Sequence, residues 1–177
     1  MAYPKCHLKN RQKKGFPVAE VLPAQLNIGD KASDFDLPRD GGDHVRLADF
    51  AGKPLVIYFY PKDDTTACTT ESISFTALAA DFAKLGVALL GVSPDSVKSH
   101  DKFVKKHALS VPLASDEEKT MAMAYGVWRE KSMYGRTYMG VVRSTFLIGA
   151  DGRIVRIWDK VKVAGHAEAV LAAAREL

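Results

Sequence analysis

Leu55-Val56-Ile57-Tyr58-Phe59-Tyr60-Pro61-Lys62-Asp63-Asp64-Thr65-Thr66-Ala67-Cys68-Thr69-Thr70-Glu71 is the stretch that decides how the remaining chain is read. Its first residues are apolar and β-prone, the pattern of a buried strand. Beyond it, Phe75, Leu78, Ala79, Phe82 and Leu85 recur at helical spacing. Cys68 therefore falls on the first turn of a helix that follows a buried strand. A thiol there meets unpaired backbone N–H groups and the positive end of the helix dipole. Both favour the thiolate, the nucleophilic form. A free cysteine is more often a small buried hydrophobe. The polar neighbours Asp63, Asp64, Thr65, Thr66, Thr69 and Thr70 favour a reactive role instead.

Working outward, Val87–Val92 is a second continuous apolar run. A strand, a helix and another buried strand in that order imply a parallel crossover. Gly86 is placed to end the first helix. Ser96 can cap a helix over 97–107, Val111–Ala114 is short and extended, and Asp116 is expected to cap a helix through Tyr125. Gly126–Gly140 reads as a long irregular loop. Thr145–Ile148, the Asp151-Gly152 turn and Ile154–Trp158 form a hairpin, and 165–175 closes the chain as a helix. Upstream, Phe35 and Leu37 alternate with Asp34 and Asp36 as a short strand. The Asp40–Asp43 turn returns through Val45-Arg46-Leu47. The expected fold is α/β: a three-layer, thioredoxin-like arrangement with a mixed central β-sheet flanked by helices.

The chain has 177 residues, 47% hydrophobic and 26% charged, within the range of one globular domain. No apolar run approaches the ~20 residues of a membrane span, and the basic N-terminal segment, with no apolar h-region, is not expected to act as a secretory signal. Two distant cysteines, Cys6 and Cys68, do not make a disulfide framework. A reducing, cytoplasmic setting is expected. The net charge of +4 is a property of one end. Lys5, Lys9, Arg11, Lys13 and Lys14 precede the first acidic residue, Glu20, and leave 20 basic against 21 acidic residues elsewhere. Residues 1–26 are read as a basic N-terminal extension and 27–177 as the domain. Nucleic acid is not an expected partner, since the excess charge lies in a tail. The five histidines show no metal-binding spacing, and no glycine-rich phosphate loop implies a nucleotide. Neither a metal nor a cofactor is expected.

With Pro61, Thr65 and Cys68 spaced as they are, the chain resembles the peroxiredoxins. It is most similar to the bacterioferritin comigratory protein, or peroxiredoxin Q, subfamily. Arg143-Ser144-Thr145-Phe146, Gly91-Val92-Ser93, Pro112–Asp116, Glu130–Gly135 and Asp151-Gly152 extend the likeness over about residues 27–177. The resemblance implies a thiol peroxidase that reduces hydrogen peroxide and organic hydroperoxides through a sulfenic acid at Cys68. Arg143 would stabilise the thiolate and hold peroxide oxygen. Thr65 would donate to the peroxide or accept its proton. Pro61 would shield the thiol from water. Each also has a plainer reading: a surface ion pair, a turn cap and a strand-ending proline. Glu71 is either a helix-start charge or a buried partner that orients Arg143.

The chain also departs from the family pattern. Ile73 stands five residues after Cys68, where many members have a resolving cysteine, and Val104 stands at the alternative position on the next helix. A one-Cys-type cycle with an external thiol reductant such as thioredoxin, glutaredoxin or glutathione is therefore expected. Cys6 is kept as a candidate resolving cysteine or an incidental tail residue. Thr66-Ala67 replaces a common proline-glycine pair, which changes loop stiffness. The resemblance allows a monomer or a homodimer. The alternative function is a peroxide-sensing redox switch or chaperone-like binding protein that uses Cys68 oxidation as a signal.

Overall fold

The computed structural model describes residues 25–177. Its centre is a five-stranded mixed sheet in the order β5-β4-β3-β8-β9. Strand β3 (Leu55–Phe59) lies in the middle, parallel to β4 (Ala88–Ser93) and antiparallel to β8 (Ser144–Ile148). β5 (Leu113–Ser115) extends one edge and β9 (Ile154–Trp158) the other. A short hairpin, β1 (Asp36–Pro38) with β2 (His44–Arg46), stands apart from this sheet.

Every residue of β3 is buried, because side chains alternate between two covered faces. Val56 and Tyr58 enter a core with Phe75 and Phe82 of α1 (Thr66–Lys84), Phe103 of α2 (Val97–His107) and Val170 of α4 (His166–Ala174). Leu55, Ile57 and Phe59 enter the opposite core with Leu37, Val45, Tyr125 and Met121 of α3 (Thr120–Ala124). This is the expected three-layer α/β architecture. Tyr58 faces Gly91 across the parallel pair. A Cβ at Gly91 would lie 2.7 Å from Leu113 Cδ2 and 2.8 Å from the Tyr58 ring, so only glycine fits.

The end of α1 follows the sequence closely. Gly86 takes φ 70°, its N–H bonds to Ala83 O, and the Val87 N–H bonds to Phe82 O, a Schellman closure. Ser96 caps α2 by accepting from the Ser99 N–H.

Two expectations need correction. The stretch expected as an irregular loop is a β-hairpin, β6 (Trp128–Met133) paired with β7 (Arg136–Val141). Its turn is Tyr134-Gly135, both at positive φ, which matches the twist of two antiparallel strands. The helix expected from Asp116 starts only at Thr120. Asp116 does cap it, from across a short loop: its carboxylate accepts from the Met121 and Ala122 N–H groups of the first turn. Among the described residues, no helix is long and apolar enough to cross a membrane.

Candidate active site

Strand β3 ends because Pro61 has no N–H to continue the ladder. The last sheet bond there runs from the Tyr60 N–H to Val92 O. The chain then turns through Asp63 and Asp64, the latter at φ 57°. Thr65 is the N-cap residue of α1 in extended conformation. Its hydroxyl donates back to Lys62 O at 3.0 Å rather than capping the helix. The first helical bond runs from Thr69 N to Thr65 O. The N–H groups of Thr66, Ala67 and Cys68 thus have no intrahelical acceptor, and Cys68 is the third helical residue.

Cys68 is 1% exposed. Arg143 reaches it from the start of the neighbouring strand β8. Antiparallel pairing of Phe59 with Ser144 sets Arg143 beside the end of β3. Its Nη2 donates to Cys68 Sγ at 3.2 Å, and its Nη1 donates to Glu71 Oε2. A planar guanidinium serves both partners at once, which fixes its plane and aims charge at the sulfur. Glu71 lies one turn after Cys68 and is also 1% exposed. Burial pushes its carboxyl up to about 7, against the opposing pull of Arg143. Its second oxygen, Oε1, has no hydrogen-bond partner among the described residues. Glu71 is therefore the buried partner of Arg143, not a solvated helix-start charge.

The structure brings Cys68, Arg143 and Glu71 into contact, with Thr65 at the head of the same helix. Pro61 is half-buried where the loop leaves the sheet. Cys6 lies outside the described residues. Ile73 is exposed on α1 and Val104 is half-buried on α2. Behind the site, His166 Nε2 bonds Thr145 Oγ1 at 2.8 Å. Burial, reinforced by the charge of Arg143, lowers its pKa to about 4 and keeps it neutral.

Asp63 and Asp64, polar neighbours of Cys68 in the sequence, are also partners of the histidines of α2. His100 bonds Asp63, and His107 bonds Asp64 together with Lys106. Residues 63 and 100 lie 37 apart, so no local pattern could have joined them.

A buried thiol on an open helix N-terminus, met by a guanidinium on a thioredoxin-like sheet, defines a cysteine-dependent redox site without a C-x-x-C pair. Residues 28–157 match the AhpC/TSA family. Peroxiredoxin Bcp of Xanthomonas campestris pv. campestris is 53% identical over 144 residues, 80% of this chain and 90% of the relative. Peroxiredoxin Bcp of Bacillus subtilis is 45% identical over 152 residues, 86% and 97% of the two chains. A solved structure of Xanthomonas campestris peroxiredoxin Q superposes with a TM-score of 0.77 at 51% identity, covering 80% of this chain and 90% of that one. A structure from a study of alkyl peroxide reduction by the Xanthomonas campestris bacterioferritin comigratory protein gives 0.77 at 50% identity, with the same coverage. The chain belongs to the AhpC/TSA family, and its likeness is to the Bcp or peroxiredoxin Q members. It is a thiol-dependent peroxidase.

Proposed function

We propose that Cys68 is the peroxidatic nucleophile and that its cycle is completed by an external thiol. The observation that carries this reading is the direct bond from Arg143 to Cys68 Sγ at an uncapped helix N-terminus. The Cys68 thiolate attacks the terminal oxygen of the hydroperoxide. An S–O bond forms, the O–O bond breaks, and sulfur loses two electrons to the peroxide. The products are a sulfenic acid and an alkoxide or hydroxide, which takes up a proton to leave as alcohol or water. Arg143 and the free N–H groups of Ala67 and Cys68 stabilise the charge that grows on the leaving oxygen. The Thr65 proton points at Lys62 O, so its oxygen accepts the O–H of the peroxide. Pro61 excludes water from the approach, and Glu71 holds Arg143 in plane.

Ile73 and Val104 supply no thiol to condense with the sulfenic acid. A first reductant thiol displaces water to form a mixed disulfide, and a second releases Cys68 as the thiolate. The substrates are hydrogen peroxide and organic hydroperoxides, in line with the alkyl peroxide reduction studied in the Xanthomonas relative. A reducing compartment such as the cytosol suits this cycle. Stopped-flow peroxide consumption tests the assignment. Cys68→Ser abolishes consumption; retained activity in that variant would remove Cys68 from the mechanism.

A further inference from the structure

The turn that carries Lys62–Thr65 into α1 is held by a buried polar cluster that plays no direct part in the chemistry. Asp63, with a side chain 4% exposed, accepts from Tyr60 Oη at 2.8 Å, Ser99 Oγ at 2.8 Å and His100 Nδ1 at 2.9 Å. Its own N–H donates to Asp95 Oδ2 at 2.9 Å. His100 is 0% exposed, and its Nε2 lies 3.2 Å from Ala114 O on β5. A carbonyl oxygen only accepts, so Nε2 carries a hydrogen. With the Tyr60 and Ser99 hydroxyls already donating to Asp63, the contact from Nδ1 reads as a third donation to the same carboxyl group.

We infer that His100 is a buried imidazolium acting as a positioning residue: it clamps Asp63, and thereby the turn leading to Cys68, onto α2 and β5. It touches neither thiol nor peroxide. Its effect runs through Asp63 to Thr65 and the uncapped N–H groups, whose aim at the peroxide depends on where the turn sits. Truncating one member of a buried charge pair leaves the other uncompensated, so the turn shifts when His100 is lost. The inference rests on Cys68 being the reacting thiol, which Cys68→Ser tests separately.

The two amide replacements of histidine separate positioning from general stability. His100→Asn offers an N–H near the Nδ1 position and keeps a donor for Asp63. His100→Gln offers one near Nε2 and keeps only the bond to Ala114. Both lose the charge and lower the melting temperature. The second-order rate constant for Cys68 oxidation by hydrogen peroxide is expected to fall about tenfold in His100→Gln and markedly less in His100→Asn. Reduction of the preformed sulfenic acid by dithiothreitol stays unchanged in both. Nitrogen-15 spectra of the wild-type ring are expected to show hydrogen on both nitrogens. Equal rate losses in the two variants, unchanged rates in both, or a ring with one bare nitrogen would each overturn the inference.

Discussion

Arg143 is the residue on which the site turns, since one guanidinium contacts both Cys68 and Glu71. Arg143→Lys keeps a positive charge but not the fork, so it cannot hold both partners in one plane. Its oxidation rate constant is expected to drop roughly 10²-fold, the scale of losing a directed donor to developing charge; stopped-flow measurement at saturating reductant reads it. Glu71 gives a pH signature of the fold. Unfolded, its carboxyl loses a proton near 4.5; folded, it keeps it until about 7. The native state binds more protons across that window, so this group's contribution to stability is full below the lower value and lost as pH rises through the upper one. Urea midpoints between pH 4.5 and 7 should decline less steeply in Glu71→Gln than in the wild type. The nucleophile was legible in the sequence, because a cysteine among threonines after a buried strand is a local pattern. The Glu71–Arg143 contact spans 72 residues and depends on the register of β3 against β8. Only resemblance had suggested it.

At the level of elements, the site depends on where β3 stops and α1 starts. Pro61 ends one, as residue chemistry alone suggests; Thr65 opens the other, although its hydroxyl bonds Lys62 O instead of capping the helix. The β6–β7 hairpin was not readable in the sequence, for a physical reason. Five of its six β7 residues are not buried, so no apolar alternation marks the strands. Tyr134-Gly135 was the available signal, as a two-residue turn in which both residues take positive φ. α3 is shorter than the sequence implies because Asp116 caps its first turn from across an intervening loop and not from the adjacent position. The sheet beneath the site admits a sharp test at Gly91. Gly91→Ala drives a methyl into Leu113 and the Tyr58 ring. Overpacking of this kind should lower unfolding free energy by ~1–3 kcal/mol, read from urea titration. An unchanged midpoint would mean that the Tyr58 layer yields readily.

Across the whole molecule, the two cores on either face of the sheet make residues 25–177 the expected catalytic unit. Leu26 already packs against the second core, so a clean truncation removes residues 1–24. That deletion is expected to leave steady-state turnover with an external thiol unchanged. A loss of turnover would give Cys6 or its basic neighbours a part in the cycle. The overall architecture was legible because two continuous apolar runs flank a helix, whereas the order of strands in the sheet rests on pairings between distant segments that no local pattern encodes. Cys68 is expected to form a sulfenic acid that only an external thiol resolves. Intact mass spectrometry of the full chain after one equivalent of hydrogen peroxide tests it most directly. The account predicts a gain of about 16 Da, one oxygen, confined to Cys68. A loss of about 2 Da, two hydrogens, would instead mean a Cys6–Cys68 disulfide and would contradict it.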